Sequence, residues 1–535
     1  MIRRSLVFAS SCGVLLLASG CAFMPEGGER AEFLEPPSMK RTFAEAVREK
    51  RAAAPVDGWP ADGWWRMFNC SDLTDVMTVV LNENHELKKS LARLNEAESV
   101  ARVEGARLLP FIDADMSMVQ LRVPNHGLVA AYNPELAGRE VSITFVNPFA
   151  FRYEFDFWGK NRAIFDAALG EATAEEAEHA ETQLVLTTTV ARLYFRGVAL
   201  SQQVALASEM AEVKRKLLHL AETRFRTGFD TQDAVKEATV ELETAEKREA
   251  ATRELLRVQQ HLLARLMGDG PDATQSAFAG KYAVIPKTIP LPKRLPVELL
   301  AHRPDLVAAM RHAEAAAEHI HAAKAQFLPS FDLSATAGLQ SVVTSTHIGK
   351  LGSFLFRSSA FNYEAIPGVR LPIFEGGQLR GKLEARRAGY DEAVELYNET
   401  LLNAARQVAD SLTNWKEARK ILDAQKSLLA SKQAELNLAL VRWRSGMKDQ
   451  REILASQHAV LENQFALKTH EADLLSAIVD LIQALGGGYS NGGVSPRPEL
   501  SPEEPISPLE NFTPAWNLEA AAPALKSLFW NGATE

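Results

Sequence analysis

Four stretches of the chain place apolar residues at helical spacing and contain no proline and little glycine. The two longest would each extend about 100 Å, at a rise of about 1.5 Å per residue. Helices of that length need lateral partners, because helical stability comes mainly from packing an apolar face. Gly228 and Gly446 follow them, where glycine commonly ends a helix. The pattern therefore predicts two long helical hairpins that turn at these glycines. The helical stretches are residues 163–227, 231–266, 378–445 and 449–485.

Shorter segments switch to alternation of apolar and polar residues, which is the period of a β-strand. A helical pattern over residues 72–107 ends at Pro110. Alternation starts at Phe111, with Ile112 on one face and Asp113 on the other. It predicts strands with one apolar and one wet face. The predicted strands start at residue 111 and cover 141–157, 330–342 and 361–374.

Helices and strands occur in the same order twice along the chain. Residues 224–228 (Arg-Phe-Arg-Thr-Gly) have a counterpart in residues 442–446 (Arg-Trp-Arg-Ser-Gly), an offset of 218 residues that is the difference between positions 442 and 224. Leu109-Pro110 and Leu328-Pro329 keep nearly the same spacing. Each copy is far longer than a solenoid repeat of roughly 20–50 residues. We therefore predict an α+β protomer made of two pseudo-symmetric halves.

The beginning of the chain has the pattern of an export signal. Arg3 and Arg4 precede a short apolar stretch that ends in small residues before Cys21. These residues match the lipobox of bacterial lipoproteins. We expect Cys21 to be the new N-terminus, with N-palmitoyl and S-diacylglycerol groups as its covalent lipid and no other cofactor. Ala22 rather than aspartate follows it, which favours sorting to the outer membrane.

Charge and cysteine content exclude several other classes of protein. The net charge of −9 is mild for 535 residues, and no basic block occurs that could hold nucleic acid. Cys12 lies in the predicted signal and Cys21 is predicted to be acylated. Cys70 then has no partner for a disulfide, so packing must stabilise the fold.

No catalytic or metal-binding residue set is predicted. Ser490 lies in a Gly-x-Ser-x-Gly pattern, but a helical pattern precedes it where a nucleophile elbow needs a strand. His470 begins a pattern like that of a zinc-protease helix, but Leu474 stands where the second histidine ligand must be. The three histidines at 312, 319 and 321 are interpreted as surface residues, since their spacing does not suit one metal ion.

An exported chain of this kind would cross a membrane only through its strands, because its mature part has no apolar run of 18 residues. Strands of roughly 9–11 residues are long enough. Two strands per half cannot close a barrel, and an open sheet cannot lie in lipid with unpaired edges. A barrel that leaves a channel needs well over eight strands. We therefore expect several protomers to pool their strands.

Several motifs in a fixed order resemble the TolC-like outer-membrane channel family, in its lipoprotein branch that serves resistance-nodulation-division (RND) efflux systems. The resemblance covers nearly the whole mature chain. The motifs are residues 153–160 (Tyr-Glu-Phe-Asp-Phe-Trp-Gly-Lys), 295–300 (Leu-Pro-Val-Glu-Leu-Leu), 303–305 (Arg-Pro-Asp), 327–330 (Phe-Leu-Pro-Ser), 372–377 (Pro-Ile-Phe-Glu-Gly-Gly) and 484–488 (Ala-Leu-Gly-Gly-Gly).

The resemblance implies a homotrimer in which each protomer gives four strands to a 12-stranded outer-membrane barrel, embedded in outer-membrane lipid. Long helices would continue that barrel as a periplasmic tunnel. It also implies two partners, a periplasmic adaptor and an inner-membrane RND-type transporter. The channel would do no chemistry: it would be a passive conduit, closed at its periplasmic end by coiled helices that untwist when the adaptor docks.

The resemblance places the two glycine turns at the periplasmic tip. The tip and adaptor-binding residues implied there are Arg224, Thr227, Gly228, Arg442, Ser445 and Gly446. The gate candidates are Asp230, Asp233, Lys448 and Asp449. Lys448 departs from the acidic residue that related channels often carry, so an acidic ring and simple solvated helix-end charges both remain open.

Three other functions are considered: a type I secretion channel, a coiled-coil scaffold lipoprotein, and a lipid-anchored hydrolase dependent on Ser490. The branch motifs favour drug efflux over the first, and a scaffold would not explain the strands.

The predicted domain boundaries are 1–20 for the signal peptide, 21–70 for a lipidated extension, 71–268 for the first repeat, 269–297 for a linker, 298–488 for the second repeat, and 489–535 for an irregular tail.

Overall fold

The computed structural model describes residues 24–39, 55–56, 58–275, 278, 283–286, 289–292, 302–344 and 355–490. The predicted signal segment, Cys21, the 295–300 motif and nearly all of the predicted tail lie outside these residues, as do parts of the predicted linker. The described helices include none long and apolar enough to cross a bilayer.

Long helices make up most of the described chain, and strands and short 3-10 segments connect them. The helices are α1 (Ser71–Glu83), α2 (His85–Gly105), α3 (Leu128–Tyr132), α4 (Lys160–Arg226), α5 (Gln232–Leu266), α6 (Pro304–Ala325), α7 (Gln378–Arg444) and α8 (Gln450–Ala484). The strands are β1 (Pro55–Val56), β2 (Phe111–Arg122), β3 (Glu140–Phe155), β4 (Ile289–Pro290), β5 (Ser330–Thr344) and β6 (Phe361–Arg370). The 3-10 segments are Trp64–Phe68, Ala106–Leu108, Pro134–Leu136, Pro271–Thr274 and Ser358–Ala360.

Within the described residues, four long strands form one antiparallel sheet in the order β2-β3-β5-β6. The central pair joins the two halves of the chain, since β3 belongs to the first half and β5 to the second. The order leaves β2 and β6 as the edges. The strand predictions are confirmed, and the fourth strand ends at Arg370, before the predicted 374.

The register separates an apolar from a charged face of this sheet. Residues directly opposite each other share a face. Tyr153 lies opposite Leu333, whereas Glu154 lies opposite Asp332. On the charged face, Arg152 of β3 also forms a salt bridge of 2.5 Å with Asp113 of β2. The apolar face includes Ile112, Phe151, Tyr153, Phe155, Phe331, Leu333 and Val369.

One hydrophobic core joins the two halves near the middle of the long helices. α1 contributes Leu73, Met77 and Val80 to it, and the middle of α4 contributes Tyr194. The C-terminal part of α8 adds apolar residues such as Ile478. Because this core draws on both copies, each half buries part of its apolar surface against the other.

The prediction of one helix over 72–107 is wrong at Asn84, where the chain turns between α1 and α2. The Asn84 carboxamide oxygen accepts the backbone N–H groups of Glu86 (2.9 Å) and Leu87 (3.1 Å), which caps α2. Its amide nitrogen donates to the carbonyl of Leu266 at 2.9 Å. This buried side chain therefore ends one helix, starts the next and satisfies the last turn of α5.

Candidate functional site at the helical tips

The two hairpins end in the same backbone turn. Gly228 and Gly446 have left-handed φ values of 79° and 75°, which glycine adopts without steric cost. The N–H groups of Gly228 and Phe229 donate to the carbonyls of Phe225 (3.0 Å) and Arg224 (2.8 Å). Gly446 and Met447 repeat these bonds with Trp443 and Arg442, both at 2.9 Å. The paired bonds satisfy the free carbonyls at the ends of α4 and α7.

Short polar side chains complete each turn in the same way. The Thr227 hydroxyl donates to the carbonyl of Thr223 at 2.9 Å, and the Ser445 hydroxyl donates to that of Val441 at 2.9 Å. The Asp449 carboxylate accepts the N–H of Arg451 at 2.9 Å and caps α8. The tips are therefore defined by local chemistry that occurs twice in the chain, and the predicted turns are confirmed.

Four charged side chains bring the two tips together. Asp230 of the first hairpin accepts Arg224 Nε at 3.2 Å and also lies 3.4 Å from Arg451 Nη1 of the second. Arg451 Nε contacts Asp449 at 2.9 Å, and Arg224 Nη1 lies 4.0 Å from the same carboxylate. We call Arg224, Asp230, Asp449 and Arg451 the tip network. Each carboxylate in it faces an arginine from both hairpins.

The tip network keeps the Asp449 carboxylate charged. Burial acts to raise the pKa of Asp449, but the hydrogen bonds and positive charge of Arg451 outweigh it and hold the pKa below its ordinary value. The Asp230 side chain is 17% exposed. Single exposed ion pairs stabilise by only about 0–1 kcal/mol. A shared, mostly buried carboxylate such as Asp230 belongs at the upper end of that range.

The gate candidates thus separate into two groups. Asp230 and Asp449 meet in the tip network. Lys448, in the turn before α8, instead pairs with Glu452 of α8 at 3.1 Å, and Asp233 is exposed in the first turn of α5. The structure brings only two of the four candidates together, and whether any of them lines a gate stays a prediction.

Sequence reasoning missed Arg451 and Glu452. Arg451 is two residues after the helix-capping Asp449, and it reaches across to Asp230 of the other hairpin. Glu452 receives Lys448 and lies 3.8 Å from Arg442. The two basic and two acidic residues in 448–452 indicated that ion pairs could form at this turn. Their partners could not be read from the chain, because residues 230 and 451 are 221 positions apart.

Large apolar side chains surround the charged network at the tips. Phe225 and Phe229 of the first turn are exposed, and so are Trp443 and Met447 of the second. Exposed apolar side chains beside a polar cluster are typical of protein interaction sites. The tips therefore combine a rigid turn, paired charges and an apolar surface that the described part of the chain leaves uncovered.

The interpretation of the three histidines as surface residues is wrong for His312. Its Nδ1 donates to Glu171 at 2.8 Å and its Nε2 to Glu178 at 3.1 Å, between α6 and α4. These two hydrogen bonds raise the pKa of His312 to about 10. It is a charged link between helices. Among the described residues, no group of three or more possible ligands is placed to hold a metal ion.

The chain matches a family model described as outer membrane efflux protein over residues 76–269 and 295–487. The multidrug resistance outer membrane protein MdtP of Escherichia coli is 27% identical, over 92% of this chain and 99% of that protein. The toluene efflux pump outer membrane protein TtgF of Pseudomonas putida is 27% identical, over 91% of this chain and 98% of that protein.

A solved structure has the same fold. The outer membrane protein VceC of Vibrio cholerae aligns with a TM-score of 0.69 and 30% identity, covering 81% of this chain and 100% of that one. Together, the duplicated halves, the sheet with its helical hairpins and the matched family model confirm the predicted TolC-like fold, and the chain belongs to the outer membrane efflux protein family.

Proposed function

We propose that the chain is the outer-membrane channel of a tripartite efflux pump, in which three copies form a passive conduit. One observation carries the proposal: the sheet has an apolar face, a charged face and two open edges, and it leads directly into helices of 67 residues. Such a sheet suits lipid on one side and a wet lumen on the other. The helices would extend the conduit about 100 Å into the periplasm.

The open edges support assembly of several copies. The N–H and C=O groups on the outer sides of β2 and β6 need partners if the sheet lies in lipid. Pairing β2 of one copy with β6 of the next satisfies both edges and closes a ring. Three copies supply twelve strands, enough to leave a lumen, since about eight strands give an interior filled by side chains.

The tips support gating and partner docking. The tip network ties the two hairpins of a protomer together, and the exposed aromatic residues beside it offer a surface for a periplasmic adaptor. The adaptor and an inner-membrane RND-type transporter would open the channel by separating the hairpins. No catalytic step is needed for this role, because the transporter supplies the energy and selects the solute.

The solutes are proposed to be small amphiphilic toxic compounds, in keeping with the toluene efflux and multidrug resistance relatives. Deleting this chain from its host should raise susceptibility to several unrelated compounds of this kind, measured as growth inhibition. The wild-type chain should restore resistance. A chain with Ser490→Ala should restore it equally, which separates a conduit from a hydrolase. An unchanged susceptibility profile after deletion would count against efflux.

We also propose that Cys21 is acylated. The proposal is supported by the position of the residues that follow it, which lie against α7 near its sheet end. The Arg387 guanidinium donates to the carbonyls of Glu26 and Pro25, both at 3.3 Å. Arg387 is nine residues from the start of α7, about 14 Å along the helix. The residues between Cys21 and Met24 can span about 10 Å. The acyl groups would therefore reach the lipid boundary where the helices meet the sheet.

Further along, the same N-terminal segment is fastened to α7. The Arg30 guanidinium pairs with Asp391 at 2.9 Å, and the Asn398 carboxamide bonds the backbone of Leu34 and Glu32. Phe33 packs edge-on against Tyr397, with ring centroids 5.1 Å apart. These contacts hold residues 30–34 against the first third of α7, on the half of the helix nearer the sheet.

We expect Cys21→Ser to abolish incorporation of labelled palmitate, because the thiol and the new N-terminus carry the lipid. Cys70→Ser is the matched control and should keep the label, since Cys70 is buried in the shared core. Palmitate retained by Cys21→Ser would exclude this residue as the lipidation site.

A further inference from the structure

The connection between β2 and β3 folds into a small unit of its own. It contains α3 and a core made by Val123, Ala130 and Val141. The N–H of Val123 donates to the carbonyl of Arg139 at 2.9 Å, and the N–H of Gly138 donates to the carbonyl of Val123 at 3.0 Å. These contacts hold α3 in one position against the end of the sheet.

The strand register shows which face of the sheet α3 covers. Leu121 lies opposite Val141, so both point to the same face. Alternate residues of β2 share a face, and therefore Leu121 lies on the side of Asp113 and Asp115. This is the charged face of the sheet. The core beneath α3 is thus on the wet side, and α3 folds over the lumen rather than toward lipid.

The outer surface of α3 is apolar although it lies on the wet side. Leu128 is 79% exposed and Tyr132 is 87% exposed, and Val129 between them is also exposed. Apolar residues clustered on water-facing surfaces commonly mark a contact with another molecule. The described residues of the chain itself leave these three side chains uncovered.

The dimensions of a closed ring bring the copies of α3 together. A ring of twelve strands, spaced about 4.8 Å apart and tilted by about 40°, is about 24 Å across. A helix with its side chains is about 10–12 Å wide. Three helices of that width, each packed on the inner wall, fill this cross-section and contact each other near the axis.

We propose that α3 of each copy packs against α3 of the two neighbouring copies and constricts the outer end of the lumen, with Leu128, Val129 and Tyr132 at the contact. The proposal rests on the proposed function, since it needs a closed ring of three chains. It places a second narrow point at the opposite end of the conduit from the helical tips.

The test is disulfide cross-linking of Tyr132→Cys in intact cells under mild oxidation. A disulfide requires Cα atoms within about 7 Å, so we expect about tenfold more covalent dimer than for the matched variant Met118→Cys. Met118 is also exposed but lies on the apolar face, away from the lumen. Leu128→Cys should behave as Tyr132→Cys does. The wild-type protein is the control for cross-linking through Cys70, which is buried.

The native mass of the purified, detergent-solubilised variants separates the two possible failures. A trimer in which Tyr132→Cys and Leu128→Cys cross-link no more than Met118→Cys overturns the α3 contact and leaves the conduit intact. A monomer overturns both the contact and the proposed ring. A trimer with efficient cross-linking at both α3 positions supports the proposal.

Discussion

Replacing Arg303 with alanine is expected to lower the free energy of unfolding by about 3 kcal/mol, at the lower end of the range for breaking a buried ion pair, because Arg303 is buried while Asp305 is 26% exposed. The residue is 5% exposed. Its guanidinium binds both Asp305 oxygens, at 3.0 and 2.6 Å. It also donates to the carbonyl of Ala484 and to the Gln407 side chain, both at 2.9 Å. One side chain thus joins the start of α6 to α7 and to the end of α8.

In the Arg303→Ala variant, the Asp305 carboxylate loses the guanidinium that binds both of its oxygens. Glu181 faces the same site, where burial and the charge of Asp305 raise its pKa to about 7. Without Arg303, two carboxyl groups would share a poorly solvated space, which adds to the loss. Thermal unfolding of the detergent-solubilised protein measures the effect.

A surface ion pair supplies the matched control for Arg303. Arg406 pairs with Asp410 at 2.9 Å, and both side chains are largely exposed. Arg406→Ala should change stability by no more than about 1 kcal/mol. Equal melting temperatures for the Arg303→Ala and Arg406→Ala variants would show that the buried contacts of Arg303 do not hold the three helices together.

Replacing Asp230 with alanine is expected to open the helical tip. Arg224 and Arg451 of the two hairpins share this carboxylate, so its removal cuts the shorter of the two charged links between the hairpins in the tip network. Only the pair with Arg451 spans the two hairpins, and one ion pair of about 0.5–1 kcal/mol amounts to roughly a two- to fivefold change in the ratio of open to closed channels. Single-channel conductance of the purified protein in a planar bilayer measures the open fraction.

Neighbouring charges provide controls for the Asp230 experiment. Asp233→Ala should leave the open fraction unchanged, because Asp233 is exposed and outside the tip network. Lys448→Ala should also have little effect, since Lys448 pairs with Glu452 of its own hairpin. If Asp233→Ala opens the channel as much as Asp230→Ala does, a ring of repelling carboxylates controls the tip instead of the links between hairpins.

Local patterns in the chain predicted most elements and their order. Glycine at 228 and 446 indicated where two helices end, because a left-handed residue is needed there. Alternating residues indicated the strands, since neighbours in a strand point to opposite faces. A polar residue inside a helical pattern was harder to interpret. Asn84 breaks a predicted helix because its amide also bonds the distant carbonyl of Leu266.

The candidate site was predicted in part. The turn residues, and Asp230 and Asp449 of the tip network, were named from the repeat and the family motifs, and their role in a gate stays a prediction. Arg451 was missed because it acts across two hairpins that only the folded chain brings together. The Arg-Pro-Asp motif at 303–305 was recognised as a family pattern. Its physical role became visible only with the carbonyl of Ala484 and the side chain of Gln407 around it.

The sequence by itself determined the duplicated order of helices and strands, the turns at both tips and the family, because each depends on residues close together in the chain. The tertiary structure decided which charges meet at the tips, how His312 links two helices, and on which face of the sheet α3 lies. These features depend on register and on contacts between residues far apart in the chain, such as Arg451 and Asp230. Helical and strand periods are local, whereas partners across a core or a sheet are chosen only when the whole chain packs.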